Sequence, residues 1–373
     1  MSSATPPRKF VPEPFAYHQE IELTIDNLSN MGHGVGRVDN WVVFVPYTLP
    51  GERVRARVYR NDKNCSMADL VEVLEPSPQR VEPVCPVYGY CGGCQYQHLE
   101  YSAQLEWKTA QVADLLRLQA GLEKEVRPAI ASPQIYGYRS KITPHFHKPK
   151  DAKMGNIGFL RVGSRTEVCD VKQCPIAMAP INEALPPLRK AVQQAAAQYK
   201  RGATLLMRVS EGSVITNNNA VCTEKVGELT FNFLAGDFFQ NNPFILPAFT
   251  GYVAKQACAG GARYLVDAYC GSGLFALTLA PHFEKVLGVE DADKLISFEV
   301  PVKLGHVSFI DAFIAENRVL IEQKGRDIDL RKGYKQSDGS MLTPFQQARR
   351  YAGYLPHDQN PRWIVVCNFR EFH

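Results

Sequence analysis

Cys85, Cys91 and Cys94 stand in the run Cys-Pro-Val-Tyr-Gly-Tyr-Cys-Gly-Gly-Cys, and Cys174 follows far downstream in Asp-Val-Lys-Gln-Cys-Pro. Five residues and then two between sulfurs is a chelating spacing. A distant fourth thiolate completes the four-cysteine shell shared by iron–sulfur centres and structural zinc, so the ligand set alone leaves both metals open. Gly92 and Gly93 favour a cluster, because backbone without Cβ bends tightly and aims N–H groups at bridging sulfides. A thioredoxin-like dithiol at Cys91 and Cys94 is the competing reading. Such motifs open a helix in a βαβ unit and need neither Cys85 nor Cys174.

A second group lies in Tyr264-Leu-Val-Asp267-Ala-Tyr269, a short apolar strand that runs into the turn Cys270-Gly271-Ser-Gly273 and then the helical segment 276–280. Glycines at such a turn let a cofactor approach the backbone. The acid closing the next strand, Glu290, is placed to accept hydrogen bonds from ribose hydroxyls. Gly271-x-Gly273-x-x-Ala276 also fits the dinucleotide fingerprint, so NAD is a rival to S-adenosylmethionine, which the lead-in Asp-Ala-Tyr-Cys favours. A third group is Asp311, Glu322 and Lys324, on two short predicted strands within 308–324. Two carboxylates converging on a divalent ion such as Mg2+, with a lysine to orient the attacking water, suit phosphodiester hydrolysis. The plainer alternative is a surface ion pair with Lys324.

The elements that must position these groups follow from periodicity. Residues 1–19 read as a loose proline-rich tail. Period-two alternation from Glu20 to Leu74 predicts a small β-barrel with strands at 21–25, 41–45 and 53–58. Arg53, Arg55, Arg57, Arg60 and Lys63 on one hairpin suit either phosphate contact or a solvated strand face. Pro76 to Pro86 reads as a linker. A helix is predicted from Tyr101 to Leu118 with the apolar stripe Leu105, Val112, Leu115 and Leu116, and strands at 135–147 and 158–168. Thr343, with Pro344 in the first turn, opens another predicted helix, and a buried strand is predicted from Arg362.

The chain has 373 residues, is 45% hydrophobic and 21% charged, and carries a net charge of +4. That is enough apolar material for roughly two to four domains, and the charge permits nucleic-acid binding without demanding it. The start has no apolar run behind its basic residues, and no stretch reaches membrane-spanning length. Ten cysteines are too sparse for a disulfide scaffold. A cytoplasmic monomer with no membrane partner is expected, with Cys65, Cys169, Cys222 and Cys258 as packing residues.

The cysteine run continues Gln95-Tyr-Gln97-His98-Leu-Glu-Tyr101, and with it the chain resembles the RNA uracil-5 methyltransferases that carry a 4Fe-4S cluster. The resemblance includes an N-terminal barrel similar to a TRAM domain, with Gly32-His-Gly34-Val-Gly36-Arg37, and the motifs Tyr136-Gly-Tyr-Arg139, Asp170-Val-Lys-Gln-Cys174-Pro and Asp237-Phe-Phe-Gln240-Asn-Asn242. It runs from about residue 18 to residue 290. It implies Cys85, Cys91, Cys94 and Cys174 as cluster ligands, and places Gln240, Tyr269 and Glu290 at an S-adenosylmethionine site that Asp267, Gly271 and Gly273 of the turn complete. It implies ribosomal or transfer RNA as partner. The family often has Asn where this chain has Leu274. Carbon 5 of uracil becomes nucleophilic only when a thiolate adds to carbon 6; a general base then removes the carbon-5 proton, and the target base must leave its stack.

In the family those catalytic groups follow the position of Glu290, and here the resemblance stops there. No Asp-Pro-Pro or Asp-Pro-Ala turn follows Asp291. Residues from about 288 to 373 resemble instead the N-terminal PD-(D/E)xK nuclease part of restriction enzymes that fuse endonuclease and DNA methyltransferase, which implies Mg2+ and DNA. Cys367, in Ile-Val-Val-Cys-Asn, superficially resembles the missing nucleophile. Phe369 replaces the expected Pro, and the six residues after Cys367 leave no room for a base, so Cys367 is read as part of the nuclease-type strand. The expected architecture is therefore multidomain: a tail (1–19), a TRAM-like, OB-like barrel (20–80), a mixed α+β iron–sulfur domain (85–230), a partial Rossmann-like α/β methyltransferase core (231–290) and an α/β nuclease-like fragment (291–373). The expected activity is an incomplete methyltransferase. The alternatives are a DNA endonuclease module or an inactive RNA-binding remnant.

Overall fold

The computed structural model describes residues 6–289, 296–303, 307–314, 318–325, 328–336, 338–355 and 360–367, in two compact units, Met1–Tyr252 and Val253–His373. In the first unit β1 (Glu20–Leu28), β2 (His33–Val38), β3 (Trp41–Pro46), β4 (Arg53–Asn61) and β5 (Cys65–Glu75) close a barrel in the order β1-β2-β3-β5-β4. Alternation along β1 turns Ile21, Leu23 and Ile25 inward onto Val43, Val45, Val54, Ala56 and Val58. The expected barrel is present, with two strands beyond the three predicted. β2 hid because glycine occupies positions where an apolar side chain would mark a strand. A Cβ on Gly34 would lie 2.0 Å from Thr48 Oγ1, and one on Gly36 would lie 2.3 Å from Thr24 O, so the chains approach too closely for any side chain.

The arginines of β4 do not wait for phosphate. Arg53 pairs with Glu22 at 2.8 Å and Glu75 at 2.9 Å, Arg57 with Glu20 at 2.7 Å, Arg55 with Glu72, and Arg60 with Asp62 at 2.8 Å. The β1–β4 register sets Glu20 opposite Arg57 and Glu22 opposite Arg55, so opposite charges become cross-strand neighbours. These arginines thus lie in exposed ion pairs across the strands.

Residues 76–86 form no helix or strand beyond an isolated bridge from Arg80 to Leu99. Helix α1 (Tyr101–Ala120) is opened by the Glu100 carboxylate, which accepts from Ala103 N at 3.2 Å, and is closed by left-handed Gly121. Its predicted stripe is not a core face: Val112 is exposed, Leu105, Leu115 and Leu116 are half-buried, and Ala103 is the residue the helix buries, against Leu28, Leu49 and Leu99. Short strands follow: β6 (Lys141–Ile142), β7 (His145–Phe146), β8 (Gly158–Leu160) and β9 (Val168–Asp170). The longer strands predicted over these segments are broken where Gly137 takes a φ of 63° and where Pro144 cannot donate to a ladder. Next come α2 (Ala179–Gln194), β10 (Ala203–Thr204), β11 (Met207–Ser210), β12 (Ser213–Ile215), and the hairpin β13 (Val221–Val226) with β14 (Leu229–Leu234). Sheets β10-β7-β8-β9 and β12-β11-β6 result, and α2 packs Ile181 and Leu185 onto Ile142, Met207 and Val209.

Helix α3 (Leu246–Cys258) spans the boundary between the units. In the second unit β15 (Tyr264–Asp267) leads to α4 (Leu274–Leu279), and β16 (Lys285–Gly288) returns parallel to β15. β17 (Ile296–Lys303), β18 (Val307–Ile314) and β19 (Val319–Gln323) form an antiparallel run, and the strand Trp363–Cys367 pairs parallel with β19. The helix predicted at Thr343 spans Pro344–Ala352 and has a full capping box between Thr343 and Gln346. Its Ala348 and Tyr351 pack with Phe313, Leu320 and Val366. Among the described residues no helix is long and apolar enough to cross a membrane.

Candidate functional site

The four cysteines of the two motifs line one cavity of about 190 Å³, together with Tyr88 and Arg139. The loop that carries three of them is held by backbone bonds: Cys91 N donates to Val87 O at 2.9 Å, and Gly92 N donates to Leu160 O at 3.0 Å. A Cβ on Gly92 would stand 3.1 Å from that same Leu160 oxygen, which gives the glycine a local reason. Gln97, buried, accepts from Cys85 N at 3.1 Å. Cys174 is clamped from α2, where Asn182 accepts from Cys174 N at 2.9 Å and donates to Cys174 O at 3.0 Å. Burial raises the Cys91 and Cys94 thiols above the ordinary range and pushes Cys174 up to about 11.

Among the described residues no three His, Cys, Asp or Glu side chains come together closely enough to hold a single metal ion. Tetrahedral zinc needs sulfurs about 3.8 Å apart. The thiols here surround a space instead of converging on a point. Of the cysteines expected to be packing residues, Cys169 and Cys222 are buried, Cys65 is half-buried, and Cys258 is exposed on the last turn of α3, where no core reaches it.

The strand, turn and helix predicted for the methyl donor are present. Gly271 and Gly273 take φ values of 52° and 81°, conformations that favour glycine. Cys270 N donates to Val289 O at 3.0 Å, and Val289 N donates to Asp267 O at 2.8 Å, which holds the turn against the end of the strand pair. Asp267 has a structural partner, since its Oδ2 accepts from Ala276 N at 3.0 Å and so orders the first turn of α4. Leu274, where the family often has Asn, is buried as an apolar residue. Tyr269 is exposed beside the turn. Glu290 lies outside the described residues.

Gln240 belongs to the first unit, where it lines a pocket with Arg127, Asn242, Phe249 and Tyr252. Its loop is fixed by cations: Lys141 Nζ donates to Gly236 O at 2.9 Å and to Asp237 O at 3.1 Å, and Arg208 donates to Asp237 O at 3.0 Å. Phe239 stacks on Phe233 at 4.4 Å, whereas Phe238 is 75% exposed. Sequence reasoning passed over Phe238. The available signal was the Phe-Phe pair, because an extended chain sends neighbouring side chains to opposite faces and cannot bury both.

In the C-terminal sheet Lys324 Nζ lies 2.6 Å from Glu322 Oε1, and Asp311 accepts from Gln323 N. Glu322 is only 2% exposed, and its Oε2 has no hydrogen-bond partner among the described residues. Burial pushes its carboxyl up to about 7 against the lowering influence of Lys324, and Asp311 adds a smaller push upward. Lys324 is half-buried, so the plain surface ion pair does not describe the site. The backbone of Cys367 ends the strand beside β19.

A family model described as the TRAM domain of tRNA (uracil(54)-C(5))-methyltransferase matches residues 21–79, and one described as MmeI, N-terminal domain, matches residues 281–373. The tRNA (uracil(54)-C(5))-methyltransferase of Schizosaccharomyces pombe is 42% identical over 79% of this chain and 60% of its own length. That of Saccharomyces cerevisiae is 31% identical over 76% and 56%, and an uncharacterized RNA methyltransferase of Synechocystis is 30% identical over 72% and 71%. The chain thus spans somewhat more than half the length of the two yeast relatives. The crystal structure of the Pyrococcus abyssi tRNA (uracil-54, C5)-methyltransferase with S-adenosyl-L-homocysteine shares the fold, with a TM-score of 0.53 at 19% identity over 93% of this chain and 90% of that one. On these relationships, together with the ordered motifs above, the chain belongs to the RNA uracil-5 methyltransferase family.

Proposed function

We propose that this chain carries the RNA-binding and methyl-donor parts of an S-adenosylmethionine-dependent RNA uracil-5 methyltransferase of the iron–sulfur type, working in the cytoplasm as a monomer. The observation that carries the reading is the convergence of Cys85, Cys91, Cys94 and Cys174 on one cavity in a chain that opens with a closed barrel. Those four thiols would hold a 4Fe-4S cluster, which would tie the cysteine loop to the segment before α2. Asp267 caps the start of α4 through Ala276 N, beside the glycine turn at Gly271 and Gly273 where a bound donor would approach, and Tyr269 is exposed next to that turn. S-adenosylmethionine, when bound, supplies the methyl group for carbon 5 of uracil. Phe238, held outward on a fixed loop, offers a face for an unstacked base. Transfer RNA is favoured as substrate because the two yeast relatives are named for it.

The thiolate that attacks carbon 6 and the base that removes the carbon-5 proton belong, in the family, beyond the position of Glu290, where this sequence reads differently. We therefore expect donor and RNA binding without transfer. The anaerobically purified chain should be brown, bind S-adenosylmethionine by calorimetry, and leave an unmodified transfer RNA transcript unlabelled when given tritiated donor. Label in uridine would show that a nucleophile is present; failure to bind the donor would remove the methyltransferase reading.

A second reading is supported by the buried Glu322, its unpartnered oxygen and Lys324 beside it. Asp311 and Glu322 would hold Mg2+ in a DNA endonuclease module, with Lys324 placed to orient water. This reading expects Mg2+-dependent cleavage of duplex DNA that falls at least about 100-fold in Asp311→Ala. Cleavage unchanged by that substitution would sink it.

A further inference from the structure

The motif Tyr136-Gly-Tyr-Arg139 lies outside the donor residues proposed above. Its backbone runs along the segment that follows Cys174: Gly137 N donates to Pro175 O at 2.9 Å, and Arg139 N donates to Ile176 O at 2.7 Å. With Gly137 at a φ of 63°, Tyr136 and Tyr138 flank a tight, pinned bend. Both line a groove of about 370 Å³, also bounded by Gln104 and Lys108 of α1, by Gln134 and by the Gly93–Cys94 backbone. Further tyrosines of the lining are fixed through their hydroxyls: Tyr96 accepts from Gln111 Nε2 at 2.8 Å, and Tyr101 accepts from Ser132 N at 2.7 Å. Asn242 Nδ2 donates to Ser132 Oγ at 2.9 Å, which ties the groove to the loop that carries Gln240 and Phe238.

The chemistry of the lining selects the ligand. Aromatic rings, several side-chain amides and a lysine line the groove, and among the described residues no carboxylate does. Rings stack on any base, amides read base edges, and a lysine without an acid beside it suits a phosphate. A cationic peptide would meet no countercharge here. We propose that this groove is a subsite for one unstacked base of single-stranded RNA flanking the target uridine, stacked on Tyr136, with Gln134 at its edge and Lys108 by its phosphate. The proposal rests on the RNA methyltransferase reading and adds a binding position to it. Because Gly93 and Cys94 border both the groove and the cysteine cavity, RNA in the groove would touch the loop that the cluster organises.

The test is fluorescence anisotropy of a labelled, unstructured RNA oligonucleotide titrated with the anaerobically purified full chain at several salt concentrations. Tyr136→Ala should weaken binding by about tenfold or more, and Tyr136→Phe should stay within about twofold of wild type. Lys108→Ala, on an exposed helical position, should reduce the slope of log Kd against log salt by roughly 0.7. Calorimetric binding of S-adenosylmethionine should stay unchanged in all three. Wild-type affinity in Tyr136→Ala, or an unaltered salt slope in Lys108→Ala, overturns the groove while leaving the family reading in place. A wild-type chain that binds no RNA overturns the RNA reading itself and the groove with it.

Discussion

Cys94→Ser is expected to yield anaerobically isolated protein without brown colour, iron or acid-labile sulfide, and with folding stability lowered by several kcal/mol. Cys94 lies in the wall shared by the cysteine cavity and the RNA groove, so its loss should reach both. Burial raises the Cys91, Cys94 and Cys174 thiols, and thiols so placed have little reason to share one cavity with Cys85 unless something cationic fills it. Serine keeps the volume of the side chain but replaces a soft thiolate with a hard, poorly ionised oxygen. Cys258→Ser, on an exposed helix end, should leave colour and stability unchanged and so controls for nonspecific thiol loss. Full iron content in Cys94→Ser, by metal analysis and visible absorbance, would end the four-thiolate assignment.

The spacing of Cys85, Cys91 and Cys94 was readable because three thiols carried by one loop leave a local record. What holds that loop was not readable. Leu160 on β8 meets it only after the chain has folded, as Asn182 on α2 meets Cys174, and nothing in their own neighbourhoods marks either residue. The same division runs through the barrel. β1, β3 and β4 show alternation, whereas β2 is written in glycines whose need appears only when Thr24 and Thr48 arrive across the barrel. Arg53, Arg55 and Arg57 looked available for phosphate because their acids sit on other strands, in a register that one strand does not specify. In the donor segment the strand, the glycine turn and the helix all follow from local sequence. The capping bond from Asp267 to Ala276 follows from the fold of that turn and gives the acid a structural task besides any contact with cofactor.

Arg80→Ala should cost about 3–5 kcal/mol of stability, the penalty of leaving a buried acid uncompensated. Glu52 is fully buried and accepts from Leu49 N at 2.8 Å, from Ser77 N at 3.2 Å and from the Arg80 guanidinium at 2.6 and 2.8 Å. Burial alone would raise the Glu52 carboxyl; Arg80 and the two backbone N–H groups outweigh it and hold it below the usual range. A depressed carboxylate contributes stability that is present above its unfolded pKa and lost as pH falls through the folded one. Glu52 therefore matters most above about pH 4.3. His98, beside this pair, adds a second acid-sensitive step. Its Nδ1 lies 2.5 Å from the Tyr88 hydroxyl, which donates to Gln95 O at 2.6 Å, so Nδ1 is left to donate to the Tyr88 oxygen. Burial first, and then Arg80, bring His98 down to about 4, with the charge of Glu52 pulling the other way. Between pH 6.5 and 4 the unfolded chain takes up a proton that the folded chain refuses, so stability should fall by about 3 kcal/mol as pH drops through that window. Urea midpoints measured from pH 7 to 4 should show this slope in wild type and a shallower one in His98→Gln. Arg80→Ala, having lost one of the charges that depress His98, should also titrate less steeply. An unchanged slope in His98→Gln would place the acid sensitivity elsewhere. The double replacement of Arg80 and Glu52 by leucine, which removes both charges together, should recover part of the stability lost in Arg80→Ala, because the dominant loss is the stranded carboxylate and not the missing contact.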